Sequence, residues 1–353
     1  MFSSISFLLL LLPSVAQQSA DELVGSVDRE KAIEVSALVK KLDGEVLFDY
    51  RAQRPLVLAS NTKLFTTAAA ALELGVDYRW HTKSYRDGND LVIVGGGDPS
   101  MLTLDGTDYA QAFMVELLQS LRAQNLSTID KLYIDGSAFS EQRHSLWPLE
   151  HKWDVFCAPP TALCVNASSI SVNFNGKNTT YYPNVESSLK IAHYGKPGKY
   201  LSAWWANDGE TLWVREPLKK ADPASYAVAD GLQFFGWWIH DSLQDSGISV
   251  KQVVLGKPPE LFEYNLILDY ESALSLERVL DEINKESNNL MAEMVLKTLA
   301  NEAKLDGSYS NGVSEVERIL KPLVGGIENL EQLDGSGMAR SNVVNNSASP
   351  ELI

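Results

Sequence analysis

The sequence is short of positive charge and of histidine, and each shortage excludes a class of protein. Its 30 lysines and arginines stand against 46 acidic residues among 353, which gives a net charge of −16. A chain this acidic repels the phosphates of a nucleic acid, so we expect no nucleic-acid partner. The 5 histidines do not form an H-E-x-x-H zinc motif. We therefore expect neither a metal nor another cofactor.

Cysteine is scarcer still, with 2 residues in the chain, Cys157 and Cys164. Their separation does not match the C-x-x-C spacing of redox and zinc sites. Two cysteines this close in sequence can close a small loop in an oxidising compartment, and we favour such a structural disulfide. Two free, buried thiols are the alternative.

Long hydrophobic runs are also scarce. The apolar stretch 7–12 is too short to span a bilayer, and Ser14-Val15-Ala16 after it is typical of a signal-peptide cleavage site. We therefore predict a signal peptide over residues 1–16, export of the chain and no membrane span in the mature protein. Because no lysine or arginine precedes the apolar run, a hydrophobic N-terminal strand is the alternative.

The pattern of apolar and turn residues predicts the local structure. Asp43-Gly44 between two β-rich runs, within residues 33–50, is a strong hairpin signal. The other predicted segments are a strand over 91–94, a helix over 107–124, β-like structure over 157–213, a helix over 222–245 and two helices over 272–301. In the helix predicted over 222–245, four aromatic residues are predicted to pack in a core: Phe234, Phe235, Trp237 and Trp238.

The sequence does not contain the G-x-S-x-G nucleophile elbow, so a serine nucleophile would need another kind of base. A candidate pair is Ser60 and Lys63, at the start of a helix predicted over 61–74 with Ser60 as its N-cap and Gly75 as its end. Residues three apart share a helix face. A lysine in a dry cleft near a helix N-terminus has a lowered pKa, and its neutral amine can act as a base. An ordinary cap and an ordinary lysine are the alternative.

A second candidate pair, Ser287 and Asn289, lies between the two helices predicted over 272–301. The hydroxyl of Ser287 could relay a proton between Lys63 and a leaving amine, and Asn289 could hold a substrate amide. S-x-x-K together with a Ser-x-Asn element is a signature of serine acyl-transfer enzymes. The alternative is a simple cap between helices.

Five segments in a fixed order carry a resemblance to a known family: LASNTKLFTTAAAALELG, GGGDPS, IDGSAF, ESNNLMAE and LDGSGMARSNVV. The set resembles the low-molecular-mass penicillin-binding proteins, the DacB-like D-alanyl-D-alanine carboxypeptidase/endopeptidases, from about Val24 onward. The resemblance implies an α/β (α+β) fold with a penicillin-binding-protein/β-lactamase-like transpeptidase domain. That domain would consist of residues 17–85 and 262–353, interrupted by an inserted α+β module over 86–261.

The resemblance also implies a function for each candidate residue. Ser60 would be the acyl-enzyme nucleophile, Lys63 its general base, and Ser287 with Asn289 the proton relay and the substrate grip. The backbone N–H of Ser60 would form half of an oxyanion hole. The implied substrates are the stem peptides of peptidoglycan in the periplasm, with β-lactams as acylating inhibitors and no cofactor.

One motif of the family, Lys-Thr-Gly or Lys-Ser-Gly, does not occur in this sequence, and Lys297-Thr298 is followed by Leu299. We therefore expect a transpeptidase domain that is incomplete at its C-terminus. The chain is then either part of a normal enzyme or an inactive binding remnant, and an esterase of the S-x-x-K type is a third possibility. We interpret GGGDP (95–99) as a structural turn, and DGSG (334–337) as a turn at the cleft rim without a catalytic role.

Overall fold

The structure of the chain is a computed structural model that describes residues 34–41, 43–207, 209–323 and 330–344. The predicted signal peptide, residues 1–16, lies outside the described residues. Within the described ranges, every helix is too short or too polar to cross a membrane.

Helices and strands are both present along the chain, in an α+β arrangement. The α-helices of the described residues are α1 (Thr62–Leu74), α2 (Tyr109–Ala123), α3 (Gly231–Asp245), α4 (Leu276–Lys285), α5 (Asn289–Glu302) and α6 (Tyr309–Leu320). The strands of the first half are β1 (Ala37–Lys40), β2 (Val46–Tyr50), β3 (Leu56–Val57), β4 (His81–Asp87), β5 (Asp90–Val94), β6 (Thr103–Leu104), β7 (Thr107–Asp108) and β8 (Thr128–Asp135). Those of the second half are β9 (Ser169–Phe174), β10 (Thr179–Tyr182), β11 (Lys190–His193), β12 (Ser202–Trp205), β13 (Thr211–Arg215), β14 (Ala221–Ala227), β15 (Ser249–Leu255), β16 (Asn265–Glu271) and β17 (Val343–Val344).

A five-stranded mixed sheet in the order β15-β8-β5-β4-β16 supports the largest core. Strands β15, β8 and β5 run parallel, whereas β4 pairs antiparallel with both β5 and β16. Helices α2 and α3 bury their apolar faces beside this sheet, where Phe113 contacts Phe235, Trp238 and Tyr270. Two smaller sheets, β10-β9-β14 and β11-β13-β12, add their inner faces to the same core.

A second core forms around α5, which packs against α1, α4 and α6. Residues 290–300 of α5 are all buried, so this helix has no solvent face over most of its length. Such a helix is expected to be apolar on every side. Glu293 and Lys297 are charged exceptions to that rule, and both are fully buried.

The strands β4 and β16 lie at or beside the predicted domain boundaries, 85/86 and 261/262. Both strands belong to the five-stranded sheet, whose other members come from the predicted inserted module. The sheet therefore takes strands from both sides of the proposed division. The division into 17–85 with 262–353 and 86–261 stays a prediction.

Most of the local predictions are confirmed. Strands β1 and β2 form the antiparallel hairpin, with Gly44 in the left-handed region at φ 91°. The predicted strand 91–94 lies in β5, the helix 107–124 contains α2, and the pair of helices over 272–301 corresponds to α4 and α5. Phe234, Phe235 and Trp238 are buried in the first core and Trp237 packs against it, as predicted.

The helix predicted over 222–245 is wrong in its first part. Ala221–Ala227 is strand β14, which pairs antiparallel with β9. The helix begins at Gly231, because the carboxylate of Asp230 accepts hydrogen bonds from the backbone N–H groups of Leu232 and Gln233 and so caps it.

The favoured disulfide between Cys157 and Cys164 is also wrong, since both cysteines are free and buried. Each sulfur has a partner of its own. Cys157 Sγ lies 3.7 Å from the sulfur of Met338, and Cys164 Sγ lies 3.3 Å from Ser168 Oγ. Burial raises the pKa of both thiols to about 11, which keeps them protonated and unreactive at neutral pH.

We expect both thiols to become accessible to a reagent only when the protein unfolds, without any need for a reductant. In denaturant without reductant, a chromogenic disulfide reagent should titrate 2 thiols per chain, and the native protein at neutral pH should react slowly because both groups are buried and protonated. A titre near zero in denaturant, which rises after reduction, would show that the disulfide forms after all.

Candidate active site

Ser60 lies on a single 3₁₀ turn, Ala59–Asn61, immediately before α1. The prediction that Ser60 caps the helix is wrong, because the N-cap position belongs to Asn61 and its side chain makes no capping bond. Ala59 has φ 47°, an unfavourable value for a residue with a side chain. Such strain is typical of residues held in place for function. Ser60 itself is exposed to solvent.

Lys63 is the second residue of α1 and is almost completely buried, with 2% of its surface exposed. Its Nζ lies 3.1 Å from Ser60 Oγ, 2.7 Å from Asn289 Oδ1 and 2.9 Å from the carbonyl oxygen of Ser336. Burial lowers the pKa of Lys63 to about 8, against the opposing effect of nearby carboxylates. At pH 7 about a tenth of this amine is therefore neutral, whereas an exposed lysine is almost wholly charged.

The break between α4 and α5 brings the second predicted pair to the same place. Ser287 has φ 56° and donates a hydrogen bond from its Oγ to Ser60 Oγ at 3.0 Å. Asn288 caps α5 through the backbone N–H of Met291, so the capping role does not belong to Ser287. Asn289 opens α5, accepts from Lys63 and donates from Nδ2 to the carbonyl of Phe156 at 3.0 Å.

The four residues predicted from the sequence thus form one cluster, although 226 positions separate Lys63 from Asn289. Each hydroxyl and the amine lies within hydrogen-bond distance of the next group, in the order Ser287, Ser60, Lys63, Asn289. A proton can pass along such a chain of contacts. The arrangement suits a serine nucleophile with a lysine base.

The DGSG turn, residues 334–337, is a part of the site that the sequence prediction underrated. It is not at the rim of the cleft, because Asp334 is fully buried and Ser336 is 1% exposed. The carbonyl of Ser336 is an acceptor for the amine of Lys63. Every residue has a backbone carbonyl, so the sequence cannot show which one contacts Lys63. The only indication for this contact was that the DGSG turn belongs to the ordered set of motifs.

The side chain of Asp334 holds this turn together. It accepts hydrogen bonds from the backbone N–H groups of Gly337 and Ala339 and from the side chains of Trp147 and Asn342. A buried carboxylate with four donors of this kind is well satisfied.

Gly337 brings the turn against the serine. It has φ 85°, and a Cβ at this position would overlap the carbonyl oxygen of Ala59 and lie 2.8 Å from Thr62 Oγ1. Glycine is therefore required on two grounds, backbone conformation and close approach. The turn and the segment that carries Ser60 can pack this closely because residue 337 has no side chain.

Glu293 is the second residue that the sequence prediction missed. It is fully buried on α5, and its carboxylate accepts the backbone N–H groups of Gly335 at 2.6 Å and Ser336 at 2.9 Å. Burial and the nearby Asp334 carboxylate push the pKa of Glu293 upward, and the hydrogen bonds from the turn oppose this shift because they favour the ionised form. Its signal in the sequence is a glutamate in the middle of an otherwise apolar helical stretch.

The glycines of GGGDP serve packing, as interpreted. A Cβ on Gly95 would overlap the carbonyl of Ala162, and one on Gly96 would overlap that of His81. The backbone N–H groups of Gly95 and Gly97 donate to the carbonyls of Asp135 and Ala162, so neither is free to bind a phosphate. Lys297 lies inside α5 and not on a strand, which excludes it as a substitute for the missing Lys-Thr-Gly motif.

Residues 18–350 of the chain match the D-Ala-D-Ala carboxypeptidase 3 (S13) family. The chain belongs to this family. It is 25% identical to the D-alanyl-D-alanine carboxypeptidase of Actinomadura sp. strain R39 over 93% of this chain and 65% of that relative. The chain thus spans slightly less than two thirds of the length of that relative.

The fold is similar to the crystal structure of penicillin binding protein 4 (dacB) from Haemophilus influenzae. The TM-score is 0.71 at 23% identity, over 91% of this chain and 75% of that one. A structure of the same protein complexed with a novel β-lactam gives a TM-score of 0.66 at 22% identity, over 89% and 73% of the two chains. The predicted family and the predicted α+β fold are both confirmed.

We expect Gly337→Ala to destabilise the protein far more than Gly247→Ala, which serves as the matched control. Both glycines have positive φ, 85° and 81°, but a Cβ at Gly247 meets nothing within 4 Å. The control should therefore cost about 1 kcal/mol for its backbone conformation alone. Gly337→Ala should cost roughly 2 kcal/mol more, from overpacking against Ala59. Urea unfolding followed by circular dichroism measures both, and equal losses would contradict the close packing of the turn against the serine segment.

Proposed function

We propose that the chain is a serine-type D-Ala-D-Ala carboxypeptidase that acts on the stem peptides of peptidoglycan. The observation that carries the proposal is the buried amine of Lys63, 3.1 Å from the hydroxyl of Ser60. Membership of the S13 family supports the reaction class. The proposal needs neither a metal nor a cofactor, because a serine and a lysine suffice for acyl transfer.

In the proposed reaction, neutral Lys63 removes the proton of Ser60 as its Oγ attacks the carbonyl carbon of the penultimate D-alanine. The backbone N–H of Ser60 donates to the oxyanion that develops on the former carbonyl oxygen. The tetrahedral intermediate collapses with cleavage of the C–N bond. As this bond breaks, a proton passes from Lys63 by way of the hydroxyl of Ser287 to the nitrogen of the terminal D-alanine, which leaves as a neutral amine.

Deacylation repeats these steps with water as the nucleophile. Lys63 takes a proton from water, the resulting hydroxide attacks the ester carbonyl, and Ser60 recovers its proton as the peptide leaves. Asn289 would hold the substrate amide while its Oδ1 stays near Lys63. This contact keeps the amine in place between the two half-reactions.

Export and domain organisation belong to the same proposal. Peptidoglycan lies outside the cytoplasmic membrane, so a signal peptide over residues 1–16 and a periplasmic location would place the enzyme with its substrate. Residues 17–85 and 262–353 would form the catalytic domain and 86–261 the inserted module. The convergence of Ser60 and Lys63 with Ser287 and Asn289 supports this division, since the two pairs come from opposite sides of the insertion.

A binding remnant without catalytic activity is the second candidate. The sequence does not contain the Lys-Thr-Gly or Lys-Ser-Gly motif that the family resemblance leads us to expect. Such a remnant would keep the cluster around Lys63 but would bind a D-Ala-D-Ala peptide without cleaving it. Acylation of Ser60 separates the two candidates.

We expect a fluorescent penicillin to label the protein covalently at Ser60, because a β-lactam presents a strained amide to the same nucleophile. Gel fluorescence measures the label, and peptide mass spectrometry locates it. Ser60→Ala is the control and should show no label, whereas Ser272→Ala alters a buried serine outside the site and should label like the wild type. Labelling that persists in Ser60→Ala would refute the nucleophile. A wild type that binds a D-Ala-D-Ala peptide and stays unlabelled would favour the remnant, and turnover of short acyl esters alone would indicate the esterase.

We also expect the rate of acylation to rise with pH to a midpoint near 8, the pKa to which burial lowers Lys63. Below that midpoint the amine is protonated and cannot accept the proton of Ser60, so the rate should fall about tenfold per pH unit. Stopped-flow or quenched labelling at fixed penicillin concentration gives the profile. Lys63→Arg is the control, since a guanidinium does not lose its proton in this range. A flat profile between pH 6 and pH 9 (roughly the range in which the amine titrates) would contradict lysine as the base.

A further inference from the structure

The amine of Lys63 is oriented by two oxygens that can only accept. The carbonyl of Ser336 carries no proton. The oxygen of Asn289 is fixed toward Lys63, since its Nδ2 must donate to the carbonyl of Phe156. A neutral amine has two N–H groups and one lone pair. When the two N–H groups donate to Asn289 and Ser336, the lone pair is left for the hydroxyl of Ser60. The direction of the base therefore depends on Ser336 as much as on Asn289.

The carbonyl of Ser336 is in turn aimed by Glu293. The carboxylate accepts two successive backbone N–H groups, those of Gly335 and Ser336, one on each oxygen. This two-point contact fixes the two peptide groups that precede the carbonyl of Ser336, and so the place where that carbonyl starts. Asp334 holds the other end of the carbonyl's own peptide group, through the N–H of Gly337. A glutamine could satisfy only one of the two donors, because its amide nitrogen would face the other.

Burial of a carboxylate in an apolar helix is costly, so its presence calls for a compensating role. Glu293 is fully buried, and four titratable groups face it. They are the Asp334 carboxylate on the turn, the amines of Lys63 on α1 and Lys297 on its own helix, and the phenol of Tyr309 on α6.

The amine of Lys297 does not take a hydrogen-bond position on the carboxylate of Glu293, because it binds other acceptors. Its Nζ donates to the carbonyls of Ser140 at 2.6 Å and Gly307 at 3.2 Å, and it lies 3.8 Å from the centre of the Tyr309 ring. Both carboxylate oxygens of Glu293 are thus committed to the DGSG turn, and Lys297 contributes only its charge.

We propose that Glu293 is a positioning residue for the lysine base: by holding the N–H groups of Gly335 and Ser336 it aims the Ser336 carbonyl that orients the Lys63 amine. This role rests on the proposed function, in which Lys63 removes the proton of Ser60. The negative charge of Glu293 also acts at a distance, because it raises the pKa of Lys63 against the larger effect of burial. Substitutions of Glu293 can separate its effect on the position of the turn from the effect of its charge on the pKa of Lys63.

Two substitutions of Glu293 test the proposal through the pH profile of acylation. Glu293→Gln removes both the charge and one acceptor, so the plateau rate should fall on the order of tenfold to a hundredfold. Its midpoint should move below the wild-type value near 8, because Lys63 loses a nearby negative charge. Glu293→Asp keeps the charge but shortens the reach, so its plateau should fall while its midpoint stays in place. Glu315→Gln is the matched control and should match the wild type, since Glu315 is buried on α6, pairs with Arg318 and makes no contact with the turn.

The direction of the shift distinguishes positioning from general damage. A variant that merely loosens the site admits water, relieves the burial of Lys63 and moves the midpoint upward, toward the ordinary value for lysine. An upward shift in Glu293→Gln, or an unchanged plateau in both variants, would overturn the proposal.

A second readout does not require activity. In ¹⁵N NMR spectra, the amides of Gly335 and Ser336 should shift on Glu293→Gln, and the Nζ of Lys63 should titrate at lower pH than in the wild type. If the wild type does not react with penicillin, the proposed function fails, yet the same spectra still decide the role of Glu293. Unchanged amide shifts, or an unchanged titration of Lys63, would refute that role. If Glu293→Gln does not fold, Glu293→Asp supplies the test through the same two amides.

Discussion

The burial of one amine is the constraint on which the rest of this structure depends. Water would hold Lys63 in its charged form, and only a dry environment brings its pKa down to about 8. A dry amine needs protein acceptors in place of water, and Asn289 and Ser336 supply them. Carboxylates are kept one contact away, since a carboxylate in direct contact would hold the proton on the lysine. Glu293 and Asp334 meet this requirement by binding the turn and not the amine.

The architecture serves to hold three chain segments around that amine. Helix α5 is buried on all sides and begins at Asn289, so the position of its first residue is set by the packing of the whole helix. The segment after α6 returns beside the start of α1, where β17 pairs with β3 and the N–H of Leu58 donates to the carbonyl of Asn342. Gly337 then lets the turn pack against the chain at Ala59. The site is therefore built from elements that are distant in sequence and rigid in the fold.

The sequence predicts those residues of the site that act through their side chains and that stand at a recognisable spacing near the start of a helix. Ser60 and Lys63 share a helix face, and Ser287 with Asn289 lie at a helix break, so local patterns identify both pairs. The sequence could not show that the fold joins them, nor that a backbone carbonyl is the third contact of Lys63. The failures elsewhere have two origins. The cap at Asp230 is a local contact that the helix prediction passed over. The contact of Cys157 with Met338 joins distant parts of the chain, which short-range patterns do not record.

Phe156 illustrates how the long intervening segment can diverge without loss of the site. Its contact with Asn289 uses the main-chain carbonyl, an atom that every residue type provides, while its ring is half exposed. Natural selection can therefore exchange the side chain at this position without disturbing the amide that touches the base. The contact that holds Asn289 beside the base is thus a property of the main chain, and the exposed side chain is free to vary around it.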